Sequence, residues 1–136
     1  MIKLSKTGRR VLIVDDMPTI LKQAVEMIGD RYEVDTALSG AEAIEKIGTV
    51  KPDIVLLDMN MPDLNGISCM EEIHAIPGFA DTPVILTANE VSIMWEARAY
   101  DKGAADFLKK PFIPANLFRK IDMHIRLSEI GWHFEP

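Results

Sequence analysis

Five short apolar runs alternate with longer stretches of helical period along the 136 residues, and this alternation limits the possible folds more than any other feature. The runs are Arg10–Val14, Glu33–Ala37, Ile54–Leu57, Val84–Leu86 and Ala105–Leu108. A strand that is apolar along its whole length has no face to give to water. Its natural place is a parallel sheet covered by helices on both sides.

The intervening segments read as helices. Between Pro18 and Ile28, residues Ile20, Leu21, Ala24, Val25 and Ile28 recur at helical spacing, Pro18 sits early where its missing N–H costs little, and Gly29 is expected to end the helix. Ser39-Gly40-Ala41-Glu42 resembles a capping box opening a helix that carries Ala43, Ile44 and Ile47, with Gly48 as its expected stop. Further helices are expected from about Gly66 to Ile76, from Glu90 to Lys102 before Gly103, and from Pro114 to Ser128. Five strand-helix units make an open five-stranded parallel α/β sheet with helices on both faces. The flavodoxin-like strand order 2-1-3-4-5 is one of two common solutions, and the sequence leaves the order open.

One domain accounts for the length: residues 9–128 form its body, 1–8 an N-terminal tail, and 129–136 a C-terminal extension or the start of a linker. Twenty-one acidic against fifteen basic residues give a net charge of -6, which opposes nonspecific binding to nucleic acid or anionic lipid. No apolar run approaches the roughly 18 residues of a membrane span, and Met1 to Lys6 lack a secretory core, so a cytoplasmic location is expected. Cys69 is the only cysteine, which excludes an intrachain disulfide and reads as a small buried hydrophobe. His74, His124 and His133 are scattered without metal-ligand spacing.

Ligands of open α/β sheets bind beyond the carboxyl ends of the strands, and those positions are polar here. Run one ends in Asp15-Asp16, run three in Asp58, run four in Thr87-Ala88 and run five in Lys109-Lys110-Pro111. Taken singly, Asp15-Asp16 is a turn with a helix cap, Asp58 a loop cap, and each lysine a solvated strand end. Capping does not require acids after both the first and third runs together with Thr after the fourth and Lys after the fifth. Three carboxylates at one sheet edge repel each other unless a cation occupies the cluster. Magnesium suits an all-oxygen site with room for waters and phosphate, with Asp16 and Asp58 as direct ligands and Asp15 partly through water.

Leu12-Ile13-Val14-Asp15-Asp16, Asp58-Met59-Asn60-Met61-Pro62-Asp63-Leu64-Asn65-Gly66, Pro83-Val84-Ile85-Leu86-Thr87-Ala88 and Ala105-Asp106-Phe107-Leu108-Lys109-Lys110-Pro111-Phe112 together carry a close resemblance to the receiver domain of two-component response regulators, of the chemotaxis-regulator type. The resemblance covers roughly Arg9 to Ser128. It implies a phosphoacceptor at Asp58, magnesium held by Asp15, Asp16, Asp58 and the Asn60 carbonyl, and phosphoryl contacts from Thr87 and Lys110. Lys110 is preferred to Lys109 because the family's lysine directly precedes Pro, often across a cis peptide. The resemblance also implies that Thr87 moves toward the phosphoryl group while Phe107 rotates inward, changing a face formed by the fourth helix, fifth strand and fifth helix. The apolar residues of that face are expected to include Ile93, Met94, Trp95, Tyr100, Phe112 and Phe118, with Trp95 read equally as core or as partner anchor. Implied partners are a histidine kinase or phosphotransfer protein, then an output domain or partner protein, with a phosphorylation-dependent dimer among the forms the output can take.

Near Asp58, Gly66 is read equally as a backbone position of positive φ or as a simple loop-to-helix junction, and Met59 and Met61 are read as packing. Asn60 and Asn89 occupy positions that adjust phosphoryl lifetime in the family. An aspartyl-phosphate hydrolase would want a second acid two residues after the nucleophile, where Asn60 stands. A flavin-phosphate binder would be repelled by Asp15-Asp16. A phosphorylation-independent interaction module is the remaining alternative.

Overall fold

A computed structural model describes residues 7–131. Its elements are β1 (Arg10–Val14), α1 (Pro18–Ile28), β2 (Glu33–Ala37), α2 (Gly40–Val50), β3 (Ile54–Asp58), α3 (Gly66–Ala75), β4 (Val84–Ala88), α4 (Ile93–Asp101), β5 (Asp106–Lys109) and α5 (Pro114–Glu129). The strands form one parallel sheet in the order β2-β1-β3-β4-β5. Parallel neighbours cannot be joined by a tight turn, so α1 to α4 serve as crossovers and α5 packs back after the last strand. The expected architecture is present, and the strand order is the flavodoxin-like one. No described helix is long and apolar enough to cross a membrane.

Side chains alternate between faces along a strand, and this divides the core in two. Val11, Ile13, Ile54, Leu56, Ile85 and Leu108 meet Leu21, Ala24 and Ile28 of α1 and Leu117, Ile121 and Ile125 of α5. Leu12, Val14, Val55, Leu57, Leu86 and Phe107 pack with Ala43 and Ile47 of α2, Met70 and Ile73 of α3, and Ala99 of α4. Cys69 is fully buried in this second cluster, and burial first, with nearby Glu72 and Asp63, pushes its thiol up to about 12.

Continuous burial holds only for the central strands. All residues of β3 and β4 are buried, whereas β2 buries only Ala37 and β5 buries Phe107 and Leu108 between half-buried Asp106 and exposed Lys109. These two strands are the sheet edges, where polar residues discourage pairing with other chains.

Several boundaries differ from expectation. In α2 the Ser39 hydroxyl accepts from Glu42 N at 3.0 Å and the Glu42 carboxylate accepts from Leu38 N at 2.8 Å, so the capping signal is met. Gly48 does not stop the helix: α2 continues to Val50, whose burial beside Ile47 outweighs the glycine's poor propensity, and Lys51 closes it at φ 51°. Helix α4 starts at Ile93 rather than near Glu90, because Ser92 is its cap and accepts from Trp95 N at 3.2 Å. Strands β3 and β4 run past their last apolar residues to include Asp58 and Thr87, which pair across the sheet. Readings that fall on residues 1–6 and 132–136, including His133, lie outside the described residues.

Candidate phosphoacceptor and metal site

The two-residue alternation of the strands builds the site. Asp15 lies two residues beyond Ile13, Asp58 two beyond Leu56, Thr87 two beyond Ile85 and Lys110 two beyond Leu108. The four preceding residues all belong to the core face covered by α1 and α5. The functional positions therefore continue one side of the sheet past the end of its apolar packing. They are nearly closed to solvent, with exposures of 1% for Asp15, 3% for Asp58, 2% for Thr87 and 6% for Lys110.

Buried charges must be paired or bound to an ion. Lys110 Nζ donates to Asp15 Oδ2 at 2.8 Å and to Asp58 Oδ1 at 3.1 Å, while Lys109 is exposed, so geometry separates the two lysines. The Lys110–Pro111 peptide is cis. The other Asp15 oxygen accepts from Met17 N at 3.0 Å, which holds that carboxylate at the start of the β1–α1 turn. Asp16 is the least buried acid, and one oxygen from each of Asp15, Asp16 and Asp58 lies within 4.8 Å of the others. Among the described residues no other group of three or more His, Cys, Asp or Glu gathers in this way.

One lysine against three acids leaves the pocket short of positive charge. Burial pushes the Asp58 carboxyl above the ordinary carboxylate value; the Lys110 hydrogen bond opposes this and the Asp15 charge reinforces it. Burial alone would lower the Lys110 ammonium, but its bonds to Asp15 and Asp58 reverse the effect and raise it. The donor set is oxygen only, two acids are enclosed and one is open, and among the described residues no histidine or cysteine joins the cluster to favour a softer metal. These residues fit a hard divalent cation that keeps part of its water shell.

The β3–α3 loop leads directly out of the pocket from Asp58. Exposed Asn60 makes a long backbone contact from its N–H to Asp58 Oδ1, at 3.5 Å. Met61 is buried in the core and Met59 packs against it, as expected. Gly66 does not have positive φ and stands at the loop-to-helix junction that opens α3, the second of its two readings. It is required by closeness instead: a Cβ there would lie 2.8 Å from both Asp58 O and Met59 Cα. Asn89 is exposed immediately after β4.

Phe107 lies on the opposite strand parity from Thr87, in the core beneath α4. Its ring is 4.9 Å from Trp95 and meets Tyr100 edge-on at 4.8 Å, so Trp95 is partly core. Ile93 and Met94 project into solvent at 85% and 86% exposure. Phe112 and Phe118 were expected on this face but pack against the α1/α5 core, Phe118 beside Tyr32. Phe112 lies in the β5–α5 connection and Phe118 at the fifth residue of α5, and both pack partly buried against that core.

Three polar arrangements escaped sequence reasoning. Asp63 accepts from Gly40 N and Ala41 N, a contact between residues more than twenty apart in sequence. Asp106 accepts from Lys120 Nζ at 2.8 Å and pairs with His124 Nε2 at 2.9 Å, which accounts for that buried histidine. His74 Nε2 donates to Thr82 O at 2.9 Å. No local motif announces these partners.

The response regulator receiver domain model matches residues 11–122. The chain is 40% identical over 119 residues to the chemotaxis protein CheY of Thermotoga maritima, across 85% of this chain and 96% of that protein. It is 34% identical over 120 residues to the transcriptional regulatory protein PrrA of Mycobacterium leprae, across 86% of this chain and 50% of PrrA, so it spans about half of that regulator's length. A solved receiver domain of a Pseudomonas aeruginosa sensor histidine kinase, with a magnesium ion coordinated in its active-site cleft, superposes with a TM-score of 0.78 at 27% identity, across 88% of this chain and 99% of that one.

Proposed function

The chain belongs to the response regulator receiver domain family, and from that premise we propose that Asp58 is its phosphoacceptor, Lys110 and Thr87 its phosphoryl-binding residues, and Asp15, Asp16, Asp58 and the Asn60 carbonyl its magnesium ligands. As a receiver domain it serves two-component signalling, and its acid triad is typical of a receiver magnesium site. The observation that carries the residue roles is the convergence of three acids within 4.8 Å, with Lys110 Nζ 3.1 Å from Asp58.

Each residue has a chemical task. An Asp58 oxygen attacks phosphorus, forming an acyl phosphate as the phosphorus–nitrogen bond of a phosphohistidine donor breaks and the imidazole leaves with the electron pair. Lys110 places a fixed ammonium beside the oxygens where negative charge accumulates. Thr87, the strand neighbour of Asp58, offers a hydroxyl on the same side of the sheet. When bound, magnesium supplies the remaining positive charge that offsets the acids and the transferring group.

The donor is a histidine kinase or phosphotransfer protein. The output is a change at the face formed by α4, β5 and α5, read by a downstream domain, a partner protein or a second copy. Thr87 and Phe107 couple the two through adjacent strands β4 and β5. Phosphorylation adds about -1.5 to -2 charge, enough to draw a nearby hydroxyl and bias packing behind it.

Incubation with magnesium and a small acyl phosphate tests the reading by intact-mass measurement. One added phosphoryl mass is expected for the native chain and none for Asp58→Asn. Equal labelling of the variant would reject Asp58, and no labelling of either would favour a phosphorylation-independent module.

A further inference from the structure

Asp63 stands outside the acid pocket, yet it ties the β3–α3 loop to another part of the molecule. Its Oδ1 accepts from Gly40 N at 3.3 Å and its Oδ2 from Ala41 N at 3.0 Å. These are the first two amides of α2, which a helix leaves without internal partners. Ser39 satisfies the next one, Glu42 N. A carboxylate at this point also meets the positive end of the helix dipole. The Ala41 amide, with that of Gly40, outweighs the slight burial and holds the Asp63 carboxyl below its ordinary value.

The residues around Asp63 reinforce the clamp. Leu64 sits so close to Gly40 that a Cβ there would come within 3.1 Å of Leu64 Cβ. At the base of the loop Gly66 N donates to Met59 O at 2.8 Å, and Asn65 caps α3 by accepting from Ser68 N at 2.9 Å. The loop is closed at its base and fastened at its tip to α2. Between these points lies Asn60, whose N–H faces Asp58 Oδ1.

We propose that Asp63 is a positioning residue for the phosphoacceptor site: by binding the N-terminus of α2 it fixes the loop that sets the Asn60 backbone against Asp58. This rests on the reading of Asn60 as a magnesium ligand. Asp63 touches neither the acids nor the transferring group, and it acts through the loop. Releasing the clamp lets Asn60 sample positions away from Asp58, so magnesium binds more weakly even where the fold persists.

The test compares the native chain with Asp63→Ala, Asp63→Asn and Ser39→Ala by magnesium calorimetry and thermal unfolding. Ser39→Ala removes a cap from the same helix end without touching the loop, so it reports loss of stability alone. Both alanine variants should melt earlier. Magnesium Kd should weaken about tenfold in Asp63→Ala, as outer-shell partners typically do. It should stay unchanged in Ser39→Ala and fall between in Asp63→Asn, which keeps one acceptor oxygen. In metal-free protein, hydrogen exchange at the Asn60 amide should quicken in Asp63→Ala and not in Ser39→Ala. Native affinity in Asp63→Ala, or equal weakening in Ser39→Ala, overturns the proposal. A native chain that binds no magnesium overturns instead the metal reading beneath it, while the hydrogen-exchange comparison still decides whether the clamp holds the loop.

Discussion

Lys110 lies closer to Asp15, at 2.8 Å, than to Asp58, at 3.1 Å. Lys110, the one buried lysine among the described residues, is thus shared, with Asp15 holding it more tightly. Asp58, which accepts the phosphoryl group in our reading, remains the less compensated carboxylate, and burial raises its proton affinity accordingly.

A raised carboxyl means that the folded state holds this proton more tightly than the unfolded chain does. Ionisation of Asp58 therefore costs stability as pH rises through the unfolded value of about 3.9 and on through the raised folded value, and the cost is complete once both are passed. Asp58→Asn should melt later than the native chain at neutral pH without metal. Magnesium at a hundred times its Kd should stabilise the native chain by about 2.7 kcal/mol and the variant by much less. Thermal melts with and without magnesium check both, and an earlier melting variant would contradict them.

Gly66→Ala should damage the site through the backbone. The new methyl would stand 2.8 Å from Asp58 O and Met59 Cα, neither of which can yield by changing rotamer. A loss of about 1–3 kcal/mol is expected from such overpacking. Because the displaced atoms belong to the proposed phosphoacceptor and its neighbour, the labelling rate should fall as well. Urea unfolding together with labelling kinetics measures both effects.

Asp106 supplies an acid-sensitive lock. Burial opposes its ionisation, but hydrogen bonds from His124 and Lys120, with the Phe107 amide, bring its carboxyl down from 3.8 to about 2. A depressed carboxyl stabilises the fold above its unfolded value and loses that contribution as pH falls through the folded one. At 1.36 kcal/mol per unit this is on the order of 2 kcal/mol, lost between about pH 4 and pH 2. Asp106→Asn should cost about 3 kcal/mol at neutral pH, because Lys120 and His124 lose a buried partner. Its stability should then vary less across the acid window, which denaturant unfolding at a series of pH values would reveal.

Gly48→Ala should stabilise the protein. Gly48 is inside α2, and a Cβ there meets nothing within 4 Å. A gain of about 0.4–1 kcal/mol is expected from reduced freedom of the unfolded chain and better helix propensity. Labelling of Asp58 should be unaffected; unchanged or lower stability would count against this account of the helix.

The fold was legible because β1, β3 and β4 are buried on both faces and write that burial directly into apolar runs. The site was legible for a related reason, since Asp15, Asp58, Thr87 and Lys110 each end such a run and break its pattern abruptly. Less was visible where tertiary contacts decide. Gly48 looks like a stop, yet the packing of Val50 carries α2 past it. Phe112 and Phe118 look like surface aromatics of the expected output face, yet packing of the β5–α5 connection and of α5 sets both against the α1/α5 core. The required closeness at Gly66 and the Asp63 clamp depend on two loops meeting, and residue spacing holds no record of that.

The strands presenting Asp58 and Thr87 are buried along their full length, whereas α4 buries only Ala99. Segments with little interior packing open at small free-energy cost. The residues proposed to take the phosphoryl charge therefore stand on the stiffest scaffold, and α4, which packs over Phe107 of the neighbouring β5, is the helix with least interior packing. Under the proposed switch, a perturbation at the rigid edge is relieved most cheaply by displacing α4, and a gradient of local firmness would then choose the route of the signal.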